Sequence, residues 1–313
     1  MFDKLLQLFH VKNLQLKLAS NLPIQVPQSR AAMLPIPLGS KLSAFLPNWE
    51  QIFGPEAWAC SVVRNGYWLE VLSHRLPAQH FLPDSYPEEL EERKVLEAEI
   101  QAMVAEKCVQ RVPRQNLSFI CRLFLVPKPD QGVRPVINLR ALNRAEVYHH
   151  FKMEGLATLK MLLQKECWMA KLDLKSAYWH VPLNPSAQRW VGFHYHGEFF
   201  QFLTLPFGLS SAPRIFTKVL RLPVELLRMN AVPMVMYLDD MIIIGATEKE
   251  CLTNLALTVG LLTALGFSIN LKKSVLSPSQ EIEFLGWTVN SAKMTISLPA
   301  RKVEKYGVCV QRC

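Results

Sequence analysis

Asp239 and Asp240 stand side by side between two apolar runs, residues 234–238 and 241–244. Such runs suit buried strands, and Pro233 and Gly245 bound the unit. The pattern predicts a hairpin with both aspartates at its tight turn. Two ionised carboxylates between greasy strands repel each other and resist desolvation, so something must compensate. A divalent cation on rigid support does so, as at magnesium sites. A solvated turn is the plain alternative, since aspartate is a common turn residue. Sixty-six positions before Asp239, Trp168–Asp173 reads as a strand ending in a third carboxylate. One carboxylate after a strand and two on a hairpin can converge on neighbouring strands of one antiparallel sheet. Three carboxylates around two metal ions suit in-line phosphoryl transfer, one ion activating a 3′-hydroxyl and the other holding a triphosphate.

The elements that must position them follow from the pattern. Residues 1–87 hold nine of the 21 prolines, which remove donors and fix φ, so long helices are not expected there. Short apolar stretches at 58–63 and 67–72 read as strands, and the region as an extended arm without chemistry of its own. From Glu88 a helix is expected, with Pro87 at its start and Glu88, Glu89, Glu91 and Glu92 in its first turns. Leu96, Ile100, Met103 and Lys107 follow helical spacing. Strands at 119–126 and 133–138 flank a turn at 127–132, placing Lys128 and Arg134 near a hairpin tip. Residues 174–180 read as helical, and 191–202 as a hairpin turning at His196-Gly197. A helix at 209–229 should be broken by Pro223. Leu252, Leu255, Val259 and Leu262 mark a helix ending at Gly266, and strands at 267–270 and 282–289 close the unit.

The 313 residues can bury a sizeable core and could hold two domains. Hydrophobic residues make up 50% and charged ones 19%, a globular balance. Lys and Arg number 35 against 26 Asp and Glu, a formal net charge of +9, which suits a polyanion partner but also plain solubility. The seven cysteines are scattered without a C-x-x-C, so neither a disulfide framework nor a zinc site is read, and a reducing compartment fits. Lys4, Lys12 and Lys17 interrupt the apolar N-terminus, which therefore lacks a signal-peptide core. No run reaches the roughly 18 apolar residues of a membrane span, so the expectation is an intracellular protein of cytoplasm or nucleus.

Five blocks in order carry a resemblance to the reverse transcriptases. They are Leu125-Val126-Pro127-Lys128 with Arg134-Pro135-Val136 and Leu139-Arg140-Ala141-Leu142-Asn143; Lys171-Leu172-Asp173-Leu174-Lys175-Ser176-Ala177-Tyr178; Leu205-Pro206-Phe207-Gly208-Leu209-Ser210-Ser211-Ala212-Pro213; Tyr237-Leu238-Asp239-Asp240; and Phe284-Leu285-Gly286-Trp287. The resemblance covers residues 88–289, about two-thirds of the chain. The wording is most similar to retrotransposons that encode a tyrosine recombinase, the DIRS type, and residues 39–53 and Gly66-Tyr67 also resemble that group.

The resemblance implies an α+β right-hand polymerase with fingers and palm, the palm an antiparallel sheet with flanking helices. It implies divisions at 1–87 (arm), 88–150 (fingers), 151–186 (palm), 187–211 (fingers), 212–290 (palm) and 291–313 (start of a thumb). Asp173, Asp239 and Asp240 would hold two Mg²⁺ ions, or Mn²⁺ in their place. Lys273, with Lys272 as alternative, would protonate the leaving pyrophosphate. Lys128 and Arg134 would grip the incoming triphosphate, as point charge and fork, unless they are a solvated tip. Tyr178 would be an aromatic gate excluding a 2′-hydroxyl, unless it is ordinary core. Phe207 stands where some relatives carry Gln, so contacts to nucleotide there must be apolar. Phe284, Leu285, Gly286 and Trp287 look like a primer grip, against the alternative of an aromatic core strand. The implied partners are an RNA or DNA template-primer and deoxynucleoside triphosphates, with no membrane and no defined oligomeric state.

The family-like text fades after Ser297-Leu298-Pro299, which suggests a thumb largely missing. Two rival readings stand beside the polymerase. One is an inactive, truncated element remnant that binds nucleic acid. The other is an unrelated two-metal palm enzyme such as a nucleotide cyclase, against which the Pro206-Phe207-Gly208 block and the basic hairpin argue.

Overall fold

The structure, a computed structural model, describes residues 1–5, 36–128, 132–299 and 310–312. Helices of seven residues or more and all strands run as follows in chain order. First come Leu46–Phe53 (α1), Trp58–Asn65 (α2), Leu90–Ala105 (α3), Val109–Arg111 (β1), Ile120–Cys121 (β2), Leu123–Pro127 (β3) and Val133–Ile137 (β4). Next are Leu156–Leu162 (α4), Trp168–Asp173 (β5), Gly192–Tyr195 (β6), Glu198–Phe202 (β7), Ala212–Met229 (α5), Met234–Tyr237 (β8) and Asp240–Gly245 (β9). Glu248–Ala264 (α6), Val275–Ser279 (β10), Glu281–Phe284 (β11), Trp287–Asn290 (β12), Thr295–Ser297 (β13) and Val310–Arg312 (β14) complete the order. This mixture is the α+β class expected.

The chain divides into two compact units, each built from separated stretches. Among the described residues, one unit takes 1–5, 152–175 and everything from 220 on, the other 36–151 and 176–219. The breaks between the two units along the chain fall at 151/152, 175/176 and 219/220, against the 150/151, 186/187 and 211/212 of the sequence reading.

In the first unit β10, β5, β9 and β8 form a four-stranded antiparallel sheet in that order. Side chains alternate across a sheet, so its two faces have different fates. Ala170, Leu172, Met241 and Ile243 share one face. On the other, Met169, Val235, Ile242 and Ile244 join a core with Leu159 of α4 and with Phe284 and Val289 of β11 and β12. The helix α6 packs along β5, β9 and β10. Its start is fixed by Thr247, whose hydroxyl accepts the Glu250 N–H at 3.1 Å, and Asn254 donates to the Ile244 carbonyl at 2.8 Å. Gly266, at φ +91°, lies just past its end, as read. A second sheet, β11-β12-β13-β14, follows.

In the second unit β1, β7, β6 and β2 form one sheet and the β3–β4 hairpin stands as another. Leu96, Ile100 and Met103 of α3 are buried as the spacing required, but Lys107 lies past the helix, exposed and at φ +54°. The β6–β7 hairpin turns at His196-Gly197, both at positive φ, as expected for a two-residue turn of this hand.

Several expectations change. The stretch at 58–63 is helix α2, not a strand. Its buried Ala59, Cys60, Val62 and Val63 follow helical spacing, and the paired valines misled. The stretch at 67–72 makes only single bridges, Tyr67 with Leu183 and Val71 with Glu146. The strand expected at 119–126 is interrupted at Arg122. Residues 174–180 give only the 3-10 turn Ala177–His180, because Ser176 stands in the left-handed region at φ +47°. Helix α5 runs unbroken through Pro223, its packing outweighing the lost backbone bond. Residues 267–270 contribute one bridge, Ile269 with Leu174, and 282–289 is a hairpin rather than one strand. Asp240 is a strand residue: the turn of the β8–β9 hairpin is Leu238-Asp239. Expectations for 6–35, for 129–131 and for most of 300–313 lie outside the described residues. Cys60, Cys108, Cys121, Cys167 and Cys251 are buried free thiols.

Candidate active site

In the first unit β5 and β9 pair so that Asp173 lies directly opposite Asp240, which in turn pairs with Tyr237 of β8. Lys171, two residues before Asp173, points to the same face. The acids and Lys171 therefore close the end of a sheet face whose remainder is apolar core. Leu238 takes φ +53°, a conformation costly to a branched side chain, and this reversal sets Asp239 at the hairpin tip.

The backbone around Asp173 is held from three sides. Its N–H donates to Ser274 Oγ at 3.0 Å and its carbonyl accepts the Asn270 N–H at 2.8 Å. The Leu174 N–H donates to the Asp239 carbonyl at 2.9 Å. Its carboxyl is pushed up to about 6, first by burial and then by the Asp239 charge, with Asp240 adding to both. A hydrogen bond from the Asn270 side chain and the charge of Lys273 pull the other way. Lys171 Nζ stands 2.9 Å from Asp240 Oδ1, yet that buried oxygen makes no contact with hydrogen-bond geometry. The ammonium is close but poorly aimed.

Among the described residues no three His, Cys, Asp or Glu side chains enclose an ion by themselves. A magnesium ion does not need that, since it is commonly held by one or two carboxylates with substrate phosphates and waters completing the shell. The Asp240 oxygen without a hydrogen bond, and the burial and neighbouring carboxylate charges that lift Asp173, fit a cation's arrival.

Lys272 and Lys273 lie on the exposed turn before β10, and the Lys273 N–H donates to the Asn270 carbonyl at 3.2 Å. Phe284 and Trp287 close the β11–β12 hairpin across a two-residue turn, Leu285-Gly286, at φ +50° and +76°. Phe284 is fully buried in the core described above, while Leu285 and Trp287 pack partly exposed on its rim.

The second unit gathers the other candidates. Arg134 pairs with Val126 across the β3–β4 hairpin, and the Lys128 N–H donates to the Gly132 carbonyl at 2.8 Å, just before its tip. The Arg134 guanidinium carbon lies 4.7 Å from the Phe207 ring centre. The Tyr178 ring lies 5.0 Å from Phe207 and 5.9 Å from Phe216. Phe207 is stapled by its carbonyl, which accepts the Ile137 N–H at 3.0 Å. Gly208 follows at φ +113°, where an added Cβ would fall 2.0 Å from the Ile137 carbonyl oxygen, so no other residue fits. Asn143 clamps the turn, donating to the Gly208 carbonyl at 2.8 Å and accepting the Ser210 N–H at 3.0 Å. Glu146 accepts from the hydroxyls of Ser210 and Ser211.

Also in this unit, a groove of about 760 Å³ is lined by Arg122, Arg140, Arg144, His80 and Phe81, among others. None of the three arginines is ion-paired among the described residues. Sequence reasoning missed this groove, and it missed Asn270, Ser274, Lys171 and Glu146 as partners. Asn143 was visible only as part of a block, because long-range hydrogen bonds leave no local spacing signal.

The fold is that of solved reverse transcriptases. It is similar to that of the foamy viral protease-reverse transcriptase in complex with dsDNA, with a TM-score of 0.62 and 23% identity over 72% of this chain and 45% of that one. The same viral protein in complex with RNA/DNA hybrid gives a TM-score of 0.61 at 20% identity, over 91% of this chain and 38% of that one. A family profile described as reverse transcriptase (RNA-dependent DNA polymerase) matches residues 126–289, and the chain belongs to that family. The nucleotide cyclase reading is thereby set aside. Curated relatives include the genome polyprotein of Petunia vein clearing virus, 29% identical over 170 residues, covering 53% of this chain and 8% of that polyprotein. The Gag-Pol polyprotein of woolly monkey sarcoma virus is 28% identical over 277 residues, covering 83% of this chain and 16% of that one. The chain thus spans a small fraction of the relatives it matches. No helix among the described residues is long and apolar enough to cross a membrane.

Proposed function

We propose that this chain is the fingers-and-palm core of an RNA-directed DNA polymerase that adds deoxynucleotides to a primer 3′-hydroxyl. The observation that carries the reading is the facing pair Asp173 and Asp240, with Asp239 beside them at the hairpin tip, in a chain of the reverse transcriptase family. The first unit is the palm and the second the fingers. Asp173, Asp239 and Asp240 are the ligands of two Mg²⁺ ions, with Mn²⁺ as a substitute. Bound there, the ions would supply the charge that activates the primer hydroxyl and steadies the leaving pyrophosphate.

The chain's own residues do the rest. Lys128 and Arg134 bind the triphosphate, and Phe207 and Tyr178 form an apolar wall against base and sugar, with Tyr178 excluding a 2′-hydroxyl. Lys273 donates a proton to pyrophosphate. Leu285 and Trp287 support the primer end from their exposed rim. The template-primer is RNA or DNA, in keeping with the nucleic acids held by the foamy viral relatives. The groove of Arg122, Arg140 and Arg144 suits a phosphate backbone. An intracellular site of action fits the nucleotide substrates.

Within the family the chain is a DIRS-type element, supported by the wording of the five blocks and, less specifically, by that around Gly39 and Gly66. Both glycines are also sterically obligatory. An added Cβ would lie 2.1 Å from the Lys107 carbonyl oxygen at Gly39, and 2.4 Å from the backbone of residues 183–184 at Gly66.

The test is primer extension on a primed RNA template by the purified protein, wild type beside Asp239→Asn. Extension by the wild type and none by a folded variant is expected, since a carboxamide cannot replace the lost charge. Wild-type extension by the variant would sink the metal assignment.

A further inference from the structure

We propose that Lys171 is a resident counter-ion of the acidic cluster, competing with the incoming cation for Asp240 and thereby setting how much divalent metal the site requires. The inference rests on the metal-site reading above and concerns a residue that reading leaves without a role.

The pairing of β5 with β9 sets two carboxylates directly across from each other, an arrangement that costs stability when both are charged. Asp239 adds a third charge to the same field. Lys171 follows the period of two along β5, so its side chain rises on the face that carries Asp173 and Asp240. Its register partners on the flanking strands are Ile242 and Val275, and its ammonium lies 2.9 Å from Asp240 Oδ1. The pair is largely withdrawn from water, with side-chain exposures of 18% and 24%, so solvent screens it less than a surface pair.

An ordinary structural ion pair would fix its carboxylate with aligned hydrogen bonds. Here Asp240 Oδ1 is buried and accepts no hydrogen bond, although the ammonium is 2.9 Å away. That is the signature of charge neutralisation without ligation: the ammonium lowers the local potential but leaves the oxygen available to a better partner. A divalent cation is such a partner, and its binding would oblige the ammonium to withdraw, which its flexible four-carbon stem permits. The acids are thereby kept together when no metal is bound, and metal binding is weaker than three bare carboxylates would give.

The test is a Mn²⁺ titration followed by the electron paramagnetic resonance of the free ion, which needs no polymerase turnover. It compares wild type, Lys171→Met, Lys171→Arg and Asp239→Asn. Methionine keeps the apolar stem and removes the charge. We expect Lys171→Met to bind Mn²⁺ more tightly by roughly three- to tenfold, and its metal-free melting temperature to fall. Lys171→Arg should stay near wild type, and Asp239→Asn should bind more weakly. Unchanged or weaker Mn²⁺ binding by a folded Lys171→Met, with Asp239→Asn still weakened, would overturn the proposal and leave the metal site standing. No Mn²⁺ binding by any of the four proteins would overturn both.

Discussion

The guanidinium carbon of Arg134 lies over the Phe207 ring, 4.7 Å from its centre, and the ring itself is backed by Tyr178 at 5.0 Å. The residue proposed to grip phosphate is therefore held in place by the residue proposed to face the sugar. Stacking on a ring restrains a long side chain before its ligand arrives.

Phe207→Leu should accordingly weaken nucleotide binding without touching the chemistry. A partly exposed cation–π contact is worth about 1 kcal/mol, so KM for the incoming nucleotide should rise by roughly fivefold with kcat little changed. Steady-state incorporation on a fixed template-primer measures both. An equal fall in kcat would mean that the ring acts on the reacting groups instead.

The raised carboxyl of Asp173 makes the metal-free protein sensitive to mild acid in an unusual sense. Its folded value, about 6, lies above its ordinary value of 3.8, so the folded state holds more protons between those limits. Stability without divalent metal should then be highest below about pH 4 as far as this group is concerned. It should fall as pH rises towards 6 and level off beyond. Melting curves in a chelating buffer test this, and Asp173→Asn should flatten the slope. A slope of the opposite sign that survives in the variant would assign the effect elsewhere.

Tyr178→Ala should admit ribonucleotides more readily if the ring bounds the sugar. The same ring packs on Phe207 and Phe216, so some loss of stability is expected as well. The informative readout is the ratio of ribo- to deoxynucleotide incorporation, which a purely structural loss would leave alone.

The arginine groove predicts a salt signature. Replacing Arg122, Arg140 and Arg144 together by Gln should lower affinity for template-primer and reduce the steepness of its salt dependence by about two to three phosphate contacts. Fluorescence anisotropy across a salt series reads this directly. An unchanged slope would remove the groove from the nucleic-acid path.

The carboxylate strand and the turn with the strongest local signature were legible in the sequence. Trp168–Asp173 and the His196-Gly197 hairpin stand where the residues placed them. Asp240 was misplaced by one position, because two adjacent acids look alike to turn chemistry, and only the register with Tyr237 separates them. The valines of α2 mimicked a strand, and Pro223 suggested a break that tertiary packing overrides. What sequence could not supply were the contacts that fix the candidate site from afar. Ser274 reaches Asp173 across 101 positions, and Asn143 reaches Ser210 across 67. Such partners are chosen by topology, which no local window contains.

The interleaving of the two units bears on how the chain can be made. Strand β5 lies inside its sheet, and both of its neighbours, β9 and β10, are synthesised later. Asp173 meets Asp240 only after 67 further residues have been added, a stretch that includes the whole of the second unit's return at 176–219. During translation an apolar segment therefore waits unpaired while a different body is completed, the situation in which nascent chains stick to one another. Chaperone dependence during expression, and poor recovery of any fragment ending between residues 175 and 234, would be the visible outcome.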